Sequence, residues 1–145
     1  MRTRTISSVR TRLIRDRTFK YPARLATADA VASLFARIVD PCKEHFIAFA
    51  LNTKNDLIAL KVTSMGNHNS TTLDIPDIMR FAVLSNAAAI LVAHNHPSRD
   101  LTPSSNDIKL TRDLKRSLNL LRIVLHDHLV IQLDPIGWYS ILHKR

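Results

Sequence analysis

The sequence predicts a single mixed α/β sandwich, and three observations carry that expectation. Stretches with apolar residues at helical spacing alternate with short β-rich runs. One of those runs, residues 88–93, is apolar throughout, as expected for a central strand covered on both faces. The 145 residues are 46% hydrophobic and 23% charged, enough apolar surface for one core and little room for a second domain.

Each element follows in turn. Thr27 is placed to cap a helix whose stripe is Val31, Leu34, Phe35 and Ile38, and Asp40-Pro41 ends it. Residues 45–52 and 57–65 read as strands joined by the turn Asn52-Thr53-Lys54-Asn55-Asp56. A polar loop over residues 66–72 holds one of the two glycines. Asp74 starts a second helix, with Pro76 in its first turn and Ile78, Phe81, Ala82 and Ser85 on one side, running to about Asn86. Beyond the apolar strand, Ser104 opens a third helix with Ile108, Thr111, Leu114, Lys115 and Leu118 on its face, and Asn119 is placed to close it. The tail predicts two strands, 122–125 and 129–133, a turn at 134–137 and a last strand from Trp138.

Composition narrows the class of protein. The single cysteine, Cys42, excludes an internal disulfide framework or a multi-thiolate metal site, and it reads as a small buried residue in a reducing, cytoplasmic setting. No apolar run is long enough to span a bilayer. The net charge is +9, yet residues 1–24 hold eight Arg and Lys against one Asp, so the body is nearly balanced. The sequence thus divides into a basic, flexible leader over 1–24 and a folded domain over 25–145. Arg2, Arg4, Arg10, Arg12, Arg15 and Arg17 of the leader can meet nucleic-acid phosphates through counterion release, or can form a solvated tail.

The residues able to do chemistry cluster around the apolar strand. His94 and His96 alternate at its end, so both imidazoles project to one side and can share a metal, although paired histidines are also common in polar loops. Ser104-Ser105-Asn106-Asp107 follows, a pattern that serves as a capping box and also brings Asp107 to the first turn of a helix. Two histidines and one aspartate, with a fourth position open to water, make a catalytic rather than a structural zinc site. Glu44 is the only glutamate among twelve acids; it is either an exposed acid at a strand end or the carboxylate that moves protons. His126-Asp127-His128 is a second His-x-His: it can add a metal ligand, Asp127 and His128 can support the site by hydrogen bonds, or the pair can simply begin a strand in solvent.

Glu44, then His94-x-His96, then seven residues, then Ser104-x-x-Asp107 resembles the JAMM or MPN-plus metalloprotease signature. Glu44-His45-Phe46, Asn52-Thr53-Lys54-Asn55, Asn86-Ala87-Ala88-Ala89-Ile90, His94-Asn95-His96-Pro97-Ser98, Thr102-Pro103-Ser104 and Asp127-His128 resemble RadC-like JAB-domain proteins over about residues 25–143. The resemblance implies a three-layer α/β/α sandwich of the cytidine-deaminase-like (JAB/MPN) type. It also implies Zn2+ on His94, His96 and Asp107, Glu44 as general base and acid, and Ser104 as a donor to the oxyanion or bound water. A deaminase itself needs His-x-Glu and Cys-x-x-Cys, which one cysteine cannot supply.

The function so implied is a zinc-dependent metallohydrolase, a peptidase or isopeptidase acting on a peptide or protein substrate. The alternatives are a DNA-repair-associated accessory protein that uses the fold as a scaffold and the leader as its nucleic-acid contact, and an inactive module for protein contacts. Two departures from the family pattern stand out. A short basic leader takes the place of the helix-hairpin-helix region that precedes the domain in full-length members. Arg99 occupies a position where glycine is usual, predicting a left-handed turn held at a cost of roughly 1 kcal/mol.

Overall fold

The structure is a computed structural model and describes residues 20–21, 25, 27–64 and 74–145. Arg2, Arg4, Arg10, Arg12, Arg15 and Arg17, and the polar loop over 66–72, lie outside the described residues. Among the described residues the chain order is α1 (Ala28–Ile38), β1 (His45–Leu51), β2 (Leu57–Ser64), α2 (Ile75–Leu84), β3 (Ala89–Asn95), α3 (Ser105–Leu120), β4 (Val124–Leu133) and β5 (Ile136–Ser140). The strands form one sheet in the order β2-β1-β3-β4-β5. Every neighbouring pair is antiparallel except β3 and β4, whose parallel pairing requires the crossover that α3 supplies.

Strand alternation divides the core between the two faces of the sheet. Ile47, Phe49 and Leu51 of β1 and Ala89 and Ala93 of β3 meet Val31, Leu34 and Phe35 of α1. Phe46, Ala48 and Ala50, with Ile90 and Val92, meet Ile78, Phe81 and Ala82 of α2 and Leu114 and Leu118 of α3. The molecule is thus three layers, α/β/α. Trp138 Nε1 donates to Asp29 Oδ1 at 2.7 Å, tying β5 to the start of α1. Leu114 and Leu118 are fully buried and anchor α3, each burial contributing roughly 1.5–3 kcal/mol.

The helix boundaries follow their capping chemistry. Thr27 Oγ1 accepts from Ala30 N at 3.2 Å, and Val39 leaves helical geometry just ahead of Asp40-Pro41. With only two glycines in the chain, other residues fill the left-handed positions. Asn55 (φ 63°) turns the hairpin, Asn86 (φ 54°) follows α2 and Arg122 (φ 57°) follows α3. The bonds Ile123 N to Leu118 O and Arg122 N to Asn119 O, both 3.0 Å, make the end of α3 a Schellman motif.

Several expectations are corrected. The third helix runs past Asn119 to Leu120, because Arg122 rather than Asn119 takes the left-handed position. Ile108 and Lys115 lie exposed, leaving Thr111, Leu114 and Leu118 as its buried stripe. Cys42 is exposed rather than buried, in a turn where its N–H donates to Asp40 Oδ1 at 2.9 Å. β5 begins at Ile136, two residues before Trp138.

The largest correction concerns the two tail strands, which are one strand, β4, with a bulge. Ile90 pairs with Leu125 but Leu91 pairs with Asp127, so His126 is the extra residue. The bulge resets the alternation and puts Leu125 and His128 on the same face although they are three residues apart. A period of two read from the sequence breaks at that point.

Candidate metal centre

β3 carries its alternation to the edge of the core, so His94 follows Ile90 and Val92 onto the face covered by α3. Phe46, on the adjacent strand, stacks on the His94 ring at a centroid distance of 6.2 Å and meets His128 edge-on at 5.5 Å. Two residues further, the chain turns sharply: Arg99 N donates to His96 O at 2.9 Å, and Arg99 holds the left-handed conformation (φ 63°) expected at this position. That turn brings the Asp100 carbonyl within 2.7 Å of His96 Nδ1. A carbonyl only accepts, so His96 carries its proton on Nδ1 and its Nε2 looks inward.

Asp107 arrives from the first turn of α3, where the capping box forms in full. Ser104 Oγ accepts from Asp107 N at 3.1 Å, while Asp107 Oδ2 accepts from Ser104 N and from Ser104 Oγ, both at 2.7 Å. Capping and site assembly are therefore the same contact: the cap holds Oδ2 of Asp107, which also faces His96, and leaves Oδ1 free to face His94.

The three residues converge. His94 Nε2 lies 3.0 Å from His96 Nε2 and 3.4 Å from Asp107 Oδ1, and His96 Nε2 lies 3.4 Å from Asp107 Oδ2. One ligand atom from each falls within 4.8 Å of the others. A tetrahedral zinc with bonds of roughly 2.0–2.1 Å separates its ligands by about 3.3 Å, so both the donor types and their spacing fit such an ion.

Charge responds to this crowding. Burial works against ionisation of Asp107, but the two imidazoles and Ser104 outweigh it and hold the carboxyl well below the usual carboxylate range. The Asp107 carboxylate raises the pKa of His96, with burial opposing it and the Asp100 carbonyl and the Glu44 charge assisting. His128 is pushed well below the ordinary histidine value by complete burial and by the neighbouring His94, so it is neutral.

Glu44 lies just ahead of β1, half-buried, outside the three-residue cluster but near enough for its charge to act on His96. Its segment is held by a residue not singled out from the sequence. Asn95 is 1% exposed, accepts from His45 N at 2.9 Å and donates to Lys43 O at 2.9 Å, gripping the chain on both sides of Glu44. A polar residue inside an apolar strand end was the available signal.

The remaining candidates divide between two places. His128 Nε2 lies 2.8 Å from His94 Nδ1, directly behind the cluster. Asp127 points elsewhere, its Oδ1 accepting from His128 N at 2.7 Å and from Ser140 Oγ at 2.9 Å. It braces the main chain of β4 against β5 and touches none of the three converging residues. His126 bonds Asn55 at 2.8 Å, far from the cluster in the fold.

A mixed sheet between helical layers, with His-x-His at the end of a central strand and an aspartate in the first turn of the next helix, is the arrangement of JAB/MPN-type domains. Residues 25–145 match the family model of the RadC-like JAB domain, and the chain belongs to that family. A UPF0758 protein of Chlorobium chlorochromatii is 35% identical over 116 residues, covering 80% of this chain and 51% of the relative. One from Chloroflexus aggregans is 38% identical over 126 residues, covering 87% and 53%. The chain thus spans about half the length of the curated relatives it matches. Among the described residues no helix is long and apolar enough to cross a membrane.

Proposed function

We propose that this domain is a metal-dependent hydrolase of amide bonds, a peptidase or isopeptidase, with zinc held by His94, His96 and Asp107. One observation carries the reading. Two imidazole Nε2 atoms and a carboxylate converge within 3.0–3.4 Å, and His96, braced at Nδ1 by the Asp100 carbonyl, turns its Nε2 into the group. Such a set is complementary to a cation. When bound there, the ion supplies Lewis-acid polarisation of a carbonyl and acidification of water.

The chain's own residues supply the rest. Glu44 accepts a proton from the attacking water and returns it to the leaving nitrogen, and the grip of Asn95 on Lys43 and His45 fixes the main chain on either side of it. Ser104 orients Asp107 through its hydroxyl and, when that hydrogen turns away from Oδ2, donates to the oxyanion of the tetrahedral intermediate. Phe46 shields the rear of His94 from water.

The test is Glu44→Gln against a panel of internally quenched peptides and isopeptides. The variant is expected to keep its zinc and lose roughly 10²–10⁴-fold in turnover, the usual contribution of a general base. A zinc-loaded variant with undiminished turnover would remove Glu44 from the chemistry. A zinc-loaded wild type that cleaves none of the panel would contradict the peptidase reading.

A further inference from the structure

We infer that Thr111 and His128 are positioning residues that fix the tautomer of His94 and so hold its Nε2 bare for a cation. The inference rests on the metal-site reading above and concerns how that site is kept in its binding form.

Counting hydrogens along one buried chain leads to it. Thr111 Oγ1 lies 2.6 Å from the main-chain carbonyl of Asp107, which can only accept, so the single hydroxyl hydrogen of Thr111 is committed there. The same oxygen lies 2.6 Å from His128 Nδ1 and must accept, which requires the proton of His128 to sit on Nδ1. His128 Nε2 is then a lone pair, and at 2.8 Å it accepts from His94 Nδ1. With its proton on Nδ1, His94 presents a bare Nε2 to His96 and Asp107. With His128 and His94 neutral, as their complete burial favours, any other assignment along this path aims two hydrogens or two lone pairs at one another.

The surroundings leave the chain no escape. Thr111 is 2% exposed, His128 0% and His94 1%, so water does not compete for these groups. Phe46 lies nearly parallel to the His94 ring (14°) and steeply tilted to the His128 ring (69°), which resists ring flips. The bulge at His126 turns His128 toward α3, and Thr111 stands one helical turn after Asp107. The chain therefore closes on the backbone of Asp107: one member of the converging trio is oriented through two intermediaries by another. His96 has its own, independent brace in the Asp100 carbonyl. Support of this kind behind a metal-binding histidine commonly contributes 10–100-fold in affinity.

The experiment measures zinc affinity by competition with a chromophoric chelator, together with the imidazole nitrogen-15 shifts of the metal-free protein. Thr111→Val keeps volume and removes the hydroxyl; it is expected to weaken zinc binding about 10–100-fold and to populate both His94 tautomers. Thr111→Ser restores the hydroxyl and is expected to bind within about threefold of wild type, while His128→Leu behaves as Thr111→Val does. Should His128→Leu fail to fold, the Val and Ser pair decides alone. Zinc affinity unchanged in Thr111→Val, or equally weak in Thr111→Ser, would overturn the inference. If His94→Ala also binds zinc like wild type, the metal-site reading fails instead.

Discussion

Replacing Asn95 by Ala removes the clamp that holds the chain on either side of Glu44, and its cost can be worked from the contacts. Two hydrogen bonds of 2.9 Å are lost, one to His45 N and one to Lys43 O. A typical net contribution of about 1 kcal/mol each gives about 2 kcal/mol. Lys43 is exposed, so water can satisfy its carbonyl, whereas the half-buried His45 N–H adds a desolvation penalty that brings the total to about 2–3 kcal/mol. For a chain of this size each kcal/mol corresponds to roughly 3–4 °C, so the melting temperature should fall by about 6–12 °C. Equilibrium urea unfolding followed by circular dichroism measures the loss directly. Zinc content should be retained, since the Asn95 side chain bonds Lys43 and His45 rather than the three converging side chains, while turnover should fall through misplacement of Glu44. A loss below about 0.5 kcal/mol would refute the clamp, because two part-buried hydrogen bonds of net about 1 kcal/mol each cannot vanish at so small a cost.

Other outcomes follow from the same geometry. Arg99→Gly relieves a left-handed conformation (φ 63°) and should stabilise the protein by about 0.5–1 kcal/mol in urea unfolding; a net loss would show that the arginine side chain contributes more than its backbone costs. Zinc affinity should depend on pH through His96, whose pKa is raised: below that raised value the protonated imidazole excludes the metal. Calorimetric affinity should therefore climb about tenfold per pH unit up to that point and then flatten, and a pH-independent affinity would contradict this. Leu118→Ala, at a fully buried position of α3, should cost about 2–5 kcal/mol by thermal or chemical unfolding; a cost under about 1 kcal/mol would show that the helix is not anchored there.

Much of the architecture was legible because local periodicity and tertiary burial agree. Val31, Leu34 and Phe35 on α1 and the uninterrupted run of β3 mark their buried faces without ambiguity. In the sequence β4 reads as two strands because its bulge is a long-range feature: the extra residue, His126, is defined by pairing with β3, not by anything in its own neighbourhood. The end of α3 at Leu120 is hidden in the sequence for a related reason, since the fold holds Arg122 in a conformation that sequence rules assign to glycine or asparagine.

The converging trio could be read from spacing, because strand alternation and a capping box both act over a few residues. Its supports could not. Asn95 acts on residues about fifty positions away, and Thr111 and His128 meet only once α3 packs on β4. On the helix Thr111 reads as one more member of the buried stripe, and only its contacts in the folded chain distinguish a packed methyl from a hydrogen-bond relay.

The most direct measurement is zinc K-edge absorption on the protein loaded with one equivalent of zinc, repeated for His94→Ala and Asp107→Ala. The account requires a four-coordinate ion with two imidazoles and no sulfur, its nearest atoms at roughly 2.0–2.1 Å, and loss of stoichiometric zinc in both variants. A sulfur neighbour at about 2.3 Å, placing the ion on Cys42, or full zinc occupancy in either variant, would contradict it.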